Sequence, residues 1–374
     1  VTTIDEFADQ FDEEPGYLDF ARVGPIGRAV REEQDAATTA LSRARFGTID
    51  DLRGHDERMR TAVGRLTGFR PEQVCVQPNT SQGLMHAMFG LTGGLALSPS
   101  EYPSIGFAAV RAAESLGVLS PLWLETDHGR VTPGNLRDQL TPSITAVAVS
   151  LVDYRTGFLA DLEGIRQVIG DRLLIVDAIQ GFGVVDAPYL HADVVVAGGQ
   201  KWVRAGWGTG FMALSDRAVD QLTPVFSGHT GTDDDDLPDR GVEPPSRSAR
   251  AFSVSNPDPV AEARFATALD GIADVGVPAI RQRIMDVTTR IIDLADEFGV
   301  PVSSPRAENE RAGIVVLAPA PDQLTMLVAS LFNHGVSSTT RAESVRLSAH
   351  VSTTDDTLDM LRASLTSFGS AINV

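Results

Sequence analysis

The sequence predicts an α/β protein: a large, mostly parallel sheet covered by helices, followed by a smaller α+β unit. Three observations carry this. Residues 74–76, 145–152, 173–176 and 193–197 are continuous apolar, β-branched runs, as strands buried on both faces require. Between them, residues 83–90, 106–116 and 161–169 have helical spacing, so strands and helices alternate. Beyond Asn256-Pro257 the pattern changes to two long amphipathic helices, 260–275 and 277–298. Pro278 sits near the start of the second, where its missing N–H costs little. A strand (313–317), a helix (321–333), one or two strands within 335–347 and a last helix from Asp355 complete the chain. The expected division is an N-terminal segment (1–20), a large domain (21–258) and a small C-terminal domain (259–374).

Composition narrows the class of function. The 374 residues carry a net charge of −19, are 43% hydrophobic and include one cysteine. A chain this long buries enough apolar surface to fold without disulfides or structural metals. The single Cys75 excludes a disulfide framework, a Cys-based zinc finger and an iron–sulfur cluster. The strongly acidic balance argues against nucleic acid as a partner. No apolar run reaches the roughly 20 residues needed to cross a bilayer. The acidic start lacks the pattern of a signal peptide, so a soluble, cytoplasmic protein is expected. Residues 230–248, with the run Asp233 to Asp236, read as a solvated loop; they lack the alternating ligands and glycine turn of a Ca²⁺ site. The histidines show no paired metal spacing, so no metal is expected, and His86 and His191 read as packing or surface residues.

The stretch 173–211 is the most informative. Asp177 closes a buried strand, where open α/β sheets place their ligand groups. The next strand leads through Gly198-Gly199 to Gln200-Lys201-Trp202. A lysine in a Gly-rich loop is in most chains a surface residue. Just past a buried strand, among few other charges, it is costly unless paired, solvated or covalently used. An Asp ending one strand and a Lys just beyond the next form the pair that a pyridoxal phosphate (PLP) site requires. The lysine forms the Schiff base, and the carboxylate keeps the pyridine nitrogen protonated so that the ring accepts electrons. A phosphate anchor is then expected upstream. Strand 74–77 runs into Pro78-Asn79-Thr80-Ser81-Gln82-Gly83 and a helix, whose free N–H groups and dipole suit a phosphate. Thr80 and Ser81 would add hydroxyl bonds, although Thr or Ser there is equally an ordinary helix cap.

These residues resemble the fold-type I PLP enzymes of the class V aminotransferase group, which includes kynureninases, cysteine desulfurases and isopenicillin N epimerase-like proteins. The resemblance runs from about Tyr17 to the last helix, with the motifs in the family's order. Glu101-Tyr102-Pro103-Ser104 resembles the loop whose aromatic residue stacks on the cofactor, which gives that role to Tyr102. Residues 150–157 resemble the Ser-His-Val…Thr-Gly segment, and Tyr154-Arg155-Thr156-Gly157 is closest to kynureninases. The resemblance thereby implies Thr156 at the cofactor and Tyr154 at the substrate. Val176-Asp177-Ala178-Ile179-Gln180 resembles the Asp-Ala-x-Gln block, in which Asp pairs with the ring nitrogen, Ala packs on the ring and Gln bonds the phenolic oxygen. Gln200-Lys201 resembles the pair that ends in the Schiff-base lysine. Residues 226–230, with His229 and Thr230, resemble a loop that reaches the phosphate of the neighbouring subunit, which implies a homodimer. Val345-Arg346-Leu347-Ser348 resembles the segment whose arginine clamps the substrate α-carboxylate, a task suited to a planar fork.

Two departures bear on the reaction. Gly198 stands where the family usually has Ser, and Gln200 where it has His or Tyr. Residues 335–344 lack the catalytic cysteine that cysteine desulfurases carry, and Cys75 reads as a small buried hydrophobe. The expectation is therefore β-elimination or Cβ-bond cleavage of an α-amino acid, in the manner of a C–S lyase or kynureninase, with aminotransferase or epimerase chemistry as the alternative. Lys201 is the expected base at Cα, supported by Asp177 and Tyr102. A serine hydrolase is a remoter rival. Asn79-Thr80-Ser81-Gln82-Gly83 is one residue from a nucleophile elbow, with His350 as the histidine, but that reading leaves Asp177, Lys201 and Arg346 without purpose. Gly181-Phe182-Gly183 lacks the third glycine of a dinucleotide fingerprint. A non-catalytic PLP-binding regulator would need a DNA-binding extension that the sequence does not display.

Overall fold

The computed structural model describes residues 2–233 and 241–372; Asp234 to Asp236 of the acidic run lie outside the described residues. In chain order the helices are α1 (Ile4–Ala8), α2 (Arg28–Ser42), α3 (Thr48–Thr67), α4 (Thr80–Gly90), α5 (Pro103–Leu116), α6 (Pro133–Gln139), α7 (Leu162–Ile169), α8 (Asp216–Gln221), α9 (Pro259–Val275), α10 (Val277–Glu297), α11 (Leu324–Asn333) and α12 (Asp355–Ile372). The strands are β1 (Val74–Val76), β2 (Gly93–Leu97), β3 (Leu119–Trp123), β4 (Ile144–Ser150), β5 (Leu173–Asp177), β6 (Val194–Gly198), β7 (Gly210–Leu214), β8 (Ile314–Leu317), β9 (Thr339–Arg341) and β10 (Ser344–Ser348).

Among the described residues, β1 to β7 form one sheet in the order β1-β7-β6-β5-β4-β2-β3. The pairs from β3 across to β6 are parallel, and β7 runs antiparallel to both its neighbours. Helices cover both faces, and the strand period of two divides the side chains between them. Along β4, Ala146 and Ala148 enter one core with Ile175, Val196 and Met212, while Val147 and Val149 enter the other with Val176, Val195 and Phe211. Each such buried Val, Ile, Met or Phe side chain contributes about 1.5–3 kcal/mol. The predicted mostly parallel α/β sheet is therefore present. The strand set is larger than the sequence pattern indicates: β2 (GGLAL) and β7 (GFMAL) begin with glycine and lack β-branched residues.

The small unit packs α11, α12 and the second half of α10 on the antiparallel sheet β8-β10-β9. The N-terminal segment is bound into it: Leu18 is fully buried, its N–H donates to Ser337 O (3.2 Å) and its carbonyl accepts from Ser348 N (2.8 Å). The segment then crosses to the large sheet, where Gly24 N donates to Gln200 O (2.9 Å). The boundary expected at 258/259 lies at the start of α9. Helix α9 packs on α2 and α3, and Phe265, Leu269 and Ile272 enter the large core. Helix α10 spans the division, with Ile280 and Ile284 in the large core and Val287 and Ile291 in the small one. An amphipathic pattern shows which stripe of a helix is buried, not which neighbour buries it. Among the described residues no helix is long and apolar enough to cross a membrane.

Candidate active site

Parallel strands bring their carboxyl ends to one edge of the sheet, and the site begins there. Ser150 of β4 lies in register with Asp177 of β5, and Asp177 with Val196 of β6. The Asp177 side chain is 2% exposed; Oδ1 accepts from Ile179 N (3.0 Å), and Oδ2 is buried with no partner. Burial pushes its pKa up to about 6, against the lowering pull of the Ile179 N–H and of Lys201. Ala178 is fully buried beside it, its N–H donating to Val196 O (2.8 Å).

Lys201 follows β6 after Gly198, Gly199 and Gln200. Burial pushes its pKa down to about 8; Asp177 opposes that shift, and Arg346 and Arg341 add to it. Its Nζ lies 5.4 Å from the centroid of the Tyr102 ring. Tyr102 precedes the first turn of α5, and Tyr154 meets its ring edge to face at 5.0 Å and 89°. Glu101, which the motif includes without a role, accepts from Ser150 N (3.0 Å) and Ser150 Oγ (2.5 Å). Burial pushes its pKa up to about 8.

The turn after β1 stands over the neighbouring strand end. Asn79 caps α4, accepting from Gln82 N (3.0 Å), and Thr80 Oγ1 is buried without a partner. Gly83 lets α4 press onto β6, since a Cβ there would run into Val196 Cγ1. Ser81 Oγ pairs with Ser104 Oγ (2.7 Å), which ties the start of α4 to the start of α5 beside Tyr102. That bond counts against the hydrolase reading: Ser81 has a serine as partner, while His350 is 1% exposed and bonds the Trp202 carbonyl (3.0 Å). The two departures at 198 and 200 are one exchange. A Cβ at position 198 would collide with Gln200 Oε1, so the Gln200 amide fills the room that glycine leaves. Gln180 is committed within the chain, donating to Ala21 O (3.0 Å) and accepting from Trp202 Nε1 (2.8 Å). It thereby pins the Asp177 loop to the Lys201 loop.

The face around Arg346 is assembled from three distant stretches. Arg346, on β10, is 3% exposed; it donates to Tyr154 O (3.0 Å) and Thr339 Oγ1 (3.1 Å) and lies 3.6 Å from Asp19. The Thr339 hydroxyl donates in turn to Asp19 (2.6 Å). Burial works against both charges, raising the pKa of Asp19 and lowering that of Arg346. Arg341 completes the face, with its guanidinium carbon 4.6 Å from the Tyr154 ring centroid and a buried Nε that has no partner. Sequence reasoning misses Asp19, Thr339 and Arg341. The one available signal for Asp19 is a carboxylate between the apolar Leu18 and Phe20.

Other expected site residues lie apart from this group. Thr156 closes a turn, its N–H donating to Asp153 Oδ1 (3.0 Å) and its Oγ1 accepting from Phe158 N (3.2 Å). With Arg155, Arg130 and Trp123 it lines a groove of about 1100 Å³. Thr230 Oγ1 bonds Ser253 Oγ (2.6 Å), and its loop rests on α4 through Phe226 and His86 (5.6 Å). Within the single chain, no hydrogen bond among the described residues joins His229 or Thr230 to the Lys201 group. Cys75 is buried on β1, and burial pushes its thiol up to about 12. Among the described residues no group of three or more His, Cys, Asp or Glu is placed to hold a metal ion.

Comparison with known proteins bears on the family and the fold. The family model described as aminotransferase class-V matches residues 57–371. A kynureninase of Deinococcus radiodurans is 26% identical over 274 residues, covering 69% of this chain and 65% of that protein, so the match spans just under two thirds of the relative's length. An uncharacterised aminotransferase of Bacillus subtilis, YcbU, is 22% identical over 254 residues, covering 66% of this chain and 67% of that protein. Among solved structures, a cysteine desulfurase from Thermococcus onnurineus has a TM-score of 0.83 at 20% identity, covering 96% of this chain and 95% of its own. The cystine C–S lyase C-DES, in complex with cysteine persulfide, has a TM-score of 0.85 at 18% identity, covering 94% and 97%. At such identities the structural likenesses establish the fold.

Proposed function

Because the chain belongs to the class V aminotransferase family and so uses PLP, we propose that it acts on an α-amino acid at Lys201, by β-elimination or Cβ-bond cleavage of the C–S lyase or kynureninase kind. The observation that carries this reading is the Lys201 amine 5.4 Å from the Tyr102 ring, with the buried, half-partnered Asp177 at the adjacent strand end. The residues fit the cofactor. A buried polar atom without a partner costs about 1–3 kcal/mol, and Thr80 Oγ1 and Asp177 Oδ2 are two such atoms. A phosphate oxygen suits the first, at a helix N-terminus; a ring N–H suits the second.

When bound, PLP supplies an aldehyde that bonds an amine and a ring that withdraws electrons from the substrate Cα. Lys201, with its pKa near 8, offers an unprotonated amine for that attachment and, once displaced by substrate, a base for the Cα proton. Asp177 would hold a proton at the ring nitrogen, and Tyr102 and Ala178 would pack against the ring. Thr80, Ser81 and Gln200 would hold the phosphate, joined in a homodimer by His229 and Thr230 of the partner copy. Arg346 holds the α-carboxylate beside Tyr154. Cys75 is unsuited to persulfide chemistry, being buried and protonated through the neutral range. A departing β-substituent is then the simplest outcome, and the similarity to a kynureninase supports it. Transamination is the second reading, favoured by the likeness to YcbU.

Borohydride treatment of the yellow protein should fix the cofactor at Lys201, as read by peptide mass spectrometry; attachment elsewhere removes the assignment. A screen of β-substituted amino acids for pyruvate release (β-elimination) or alanine release (Cβ-bond cleavage), run beside amino-donor and keto-acid pairs, separates lyase from transaminase.

A further inference from the structure

We infer that Arg341 sets the substrate class: beside Arg346 it presents a second guanidinium that receives an acidic group on the substrate's side chain. The preferred substrate is then an α-amino acid with two negative groups. This rests on the Lys201-centred reading above and deepens it.

The pairing of β9 with β10 places Arg346 opposite Thr339, and Arg341 lies two residues along the same strand, on the same face. The two arginines differ in what already answers their charge. Arg346 has Asp19, Thr339 and the Tyr154 carbonyl. Arg341 has the face of the Tyr154 ring at 4.6 Å and a buried Nε without a partner; among the described residues no carboxylate pairs with it. Tyr154 meets Tyr102 edge to face at 5.0 Å, and Tyr102 faces the Lys201 amine at 5.4 Å. Guanidinium, two rings and amine thus form one continuous surface. The charge of Arg341 is felt at both Lys201 and Arg346, where it disfavours the protonated form.

A half-buried cation beside two others is unfavourable at rest, and in a chain of net charge −19 a carboxylate partner would have been easy to supply. Its absence leaves an anion site that a neutral side chain cannot fill. A carboxylate, sulfinate or sulfonate fills it with a fork-to-fork hydrogen-bonded pair.

Succinate and its monoamide succinamate have the same length and differ by one charge. Calorimetric titration of the holoenzyme should show succinate binding about 100-fold more tightly. In Arg341→Gln the two affinities should come within about threefold, and Arg341→Lys should keep part of the preference. In turnover, S-carboxymethylcysteine should exceed S-carbamidomethylcysteine by a similar factor in kcat/KM, each releasing its thiol, pyruvate and ammonia with uptake of one water. Arg341→Gln should erase that margin, bringing the two substrates to within about threefold of one another in kcat/KM. Equal affinities in the wild type, a preference that survives Arg341→Gln, or an equal loss of both ligands would each overturn the inference; the last would mean that both arginines grip the α-carboxylate. If neither cysteine derivative yields pyruvate, the C–S lyase form of that reading fails while the binding comparison still decides the role of Arg341.

Discussion

At the rim of the large sheet, charged groups are placed by strand ends, whereas on the β9–β10 hairpin they are held by one another. Asp177 and Lys201 each hang from the end of a buried parallel strand, and burial draws both toward neutrality, to about 6 and about 8. Arg346 and Asp19 meet across more than 300 residues of sequence, and each partly offsets the cost that burial puts on the other's charge. The difference matches the roles proposed for the two groups. Groups that must move a proton near neutral pH need pKa values close to it, and desolvation supplies them. Groups that must hold a carboxylate need a permanent charge, and an internal counter-charge keeps it bearable until substrate arrives.

The largest expected effect tests the rim. Lys201→Ala should lower turnover of any amino acid substrate by at least about 10³-fold, while leaving the thermal melt of the protein close to that of the wild type. Retained turnover would mean that the chemistry lies elsewhere. On the hairpin, Asp19→Asn should keep the acceptor for Thr339 but strip Arg346 of its counter-charge. Breaking a buried ion pair usually costs about 3–5 kcal/mol; because this one is long at 3.6 Å and burial already works against both members, about 2 kcal/mol is expected. Denaturant unfolding measures the loss, and added succinate should restore part of it. An unchanged midpoint would show that Asp19 does not balance Arg346.

The rim half of this comparison is legible in the sequence because it is local. An apolar run ending in Asp177, and another leading through two glycines to Lys201, carry strand type, strand end and side-chain chemistry within a few residues. The hairpin half is not. No periodicity announces that Leu18 will join Ser337 and Ser348, and only the pairing of β9 with β10 puts Arg341 on the face of Arg346. For the same reason α9 reads correctly as a helix while its packing against α2 and α3 stays hidden. Strands β2 and β7 escape because glycine replaces the β-branched signal. Gly198 and Gln200 stand out singly as departures, but their connection is a matter of side-chain direction, which spacing does not encode.

The rim should also reveal itself through pH when the cofactor is removed. Asp177 has its folded pKa raised to about 6 from 3.8. Its contribution to stability is thus complete below the unfolded value and is lost as pH rises through about 6. Apo-protein should lose melting temperature between pH 4 and 6, and PLP should remove that loss by answering the carboxylate. Asp177→Asn should make the apo curve shallower between pH 4 and 6, leaving the part that Glu101 contributes; a slope unchanged from the wild type would assign the loss to another group. Lys201 titrates the other way: its capture of added PLP should accelerate up to about pH 8 and then level off, because the free amine is the reactive form.

The smallest effect is expected where two departures at the rim compensate. If the Gln200 amide fills the space beside Gly198, then Gly198→Ser alone should push that amide away, since the new Cβ would collide with Oε1. Loss of one hydrogen bond to a phosphate corresponds to about tenfold weaker PLP binding. Gln200→His alone should weaken binding by a similar factor, because the larger ring leaves the glycine's room unfilled. The double variant restores the family's pairing of the two positions, so its affinity should return to within about threefold of the wild type. Equilibrium dialysis of PLP against the four proteins measures the cycle. A double variant as weak as the sum of the single ones would show that the positions act independently. Restoration would show that the rim accepts a changed side chain where its neighbour supplies the same bond. The lone Arg341 on the hairpin has no such neighbour, so no second substitution there should rescue its loss.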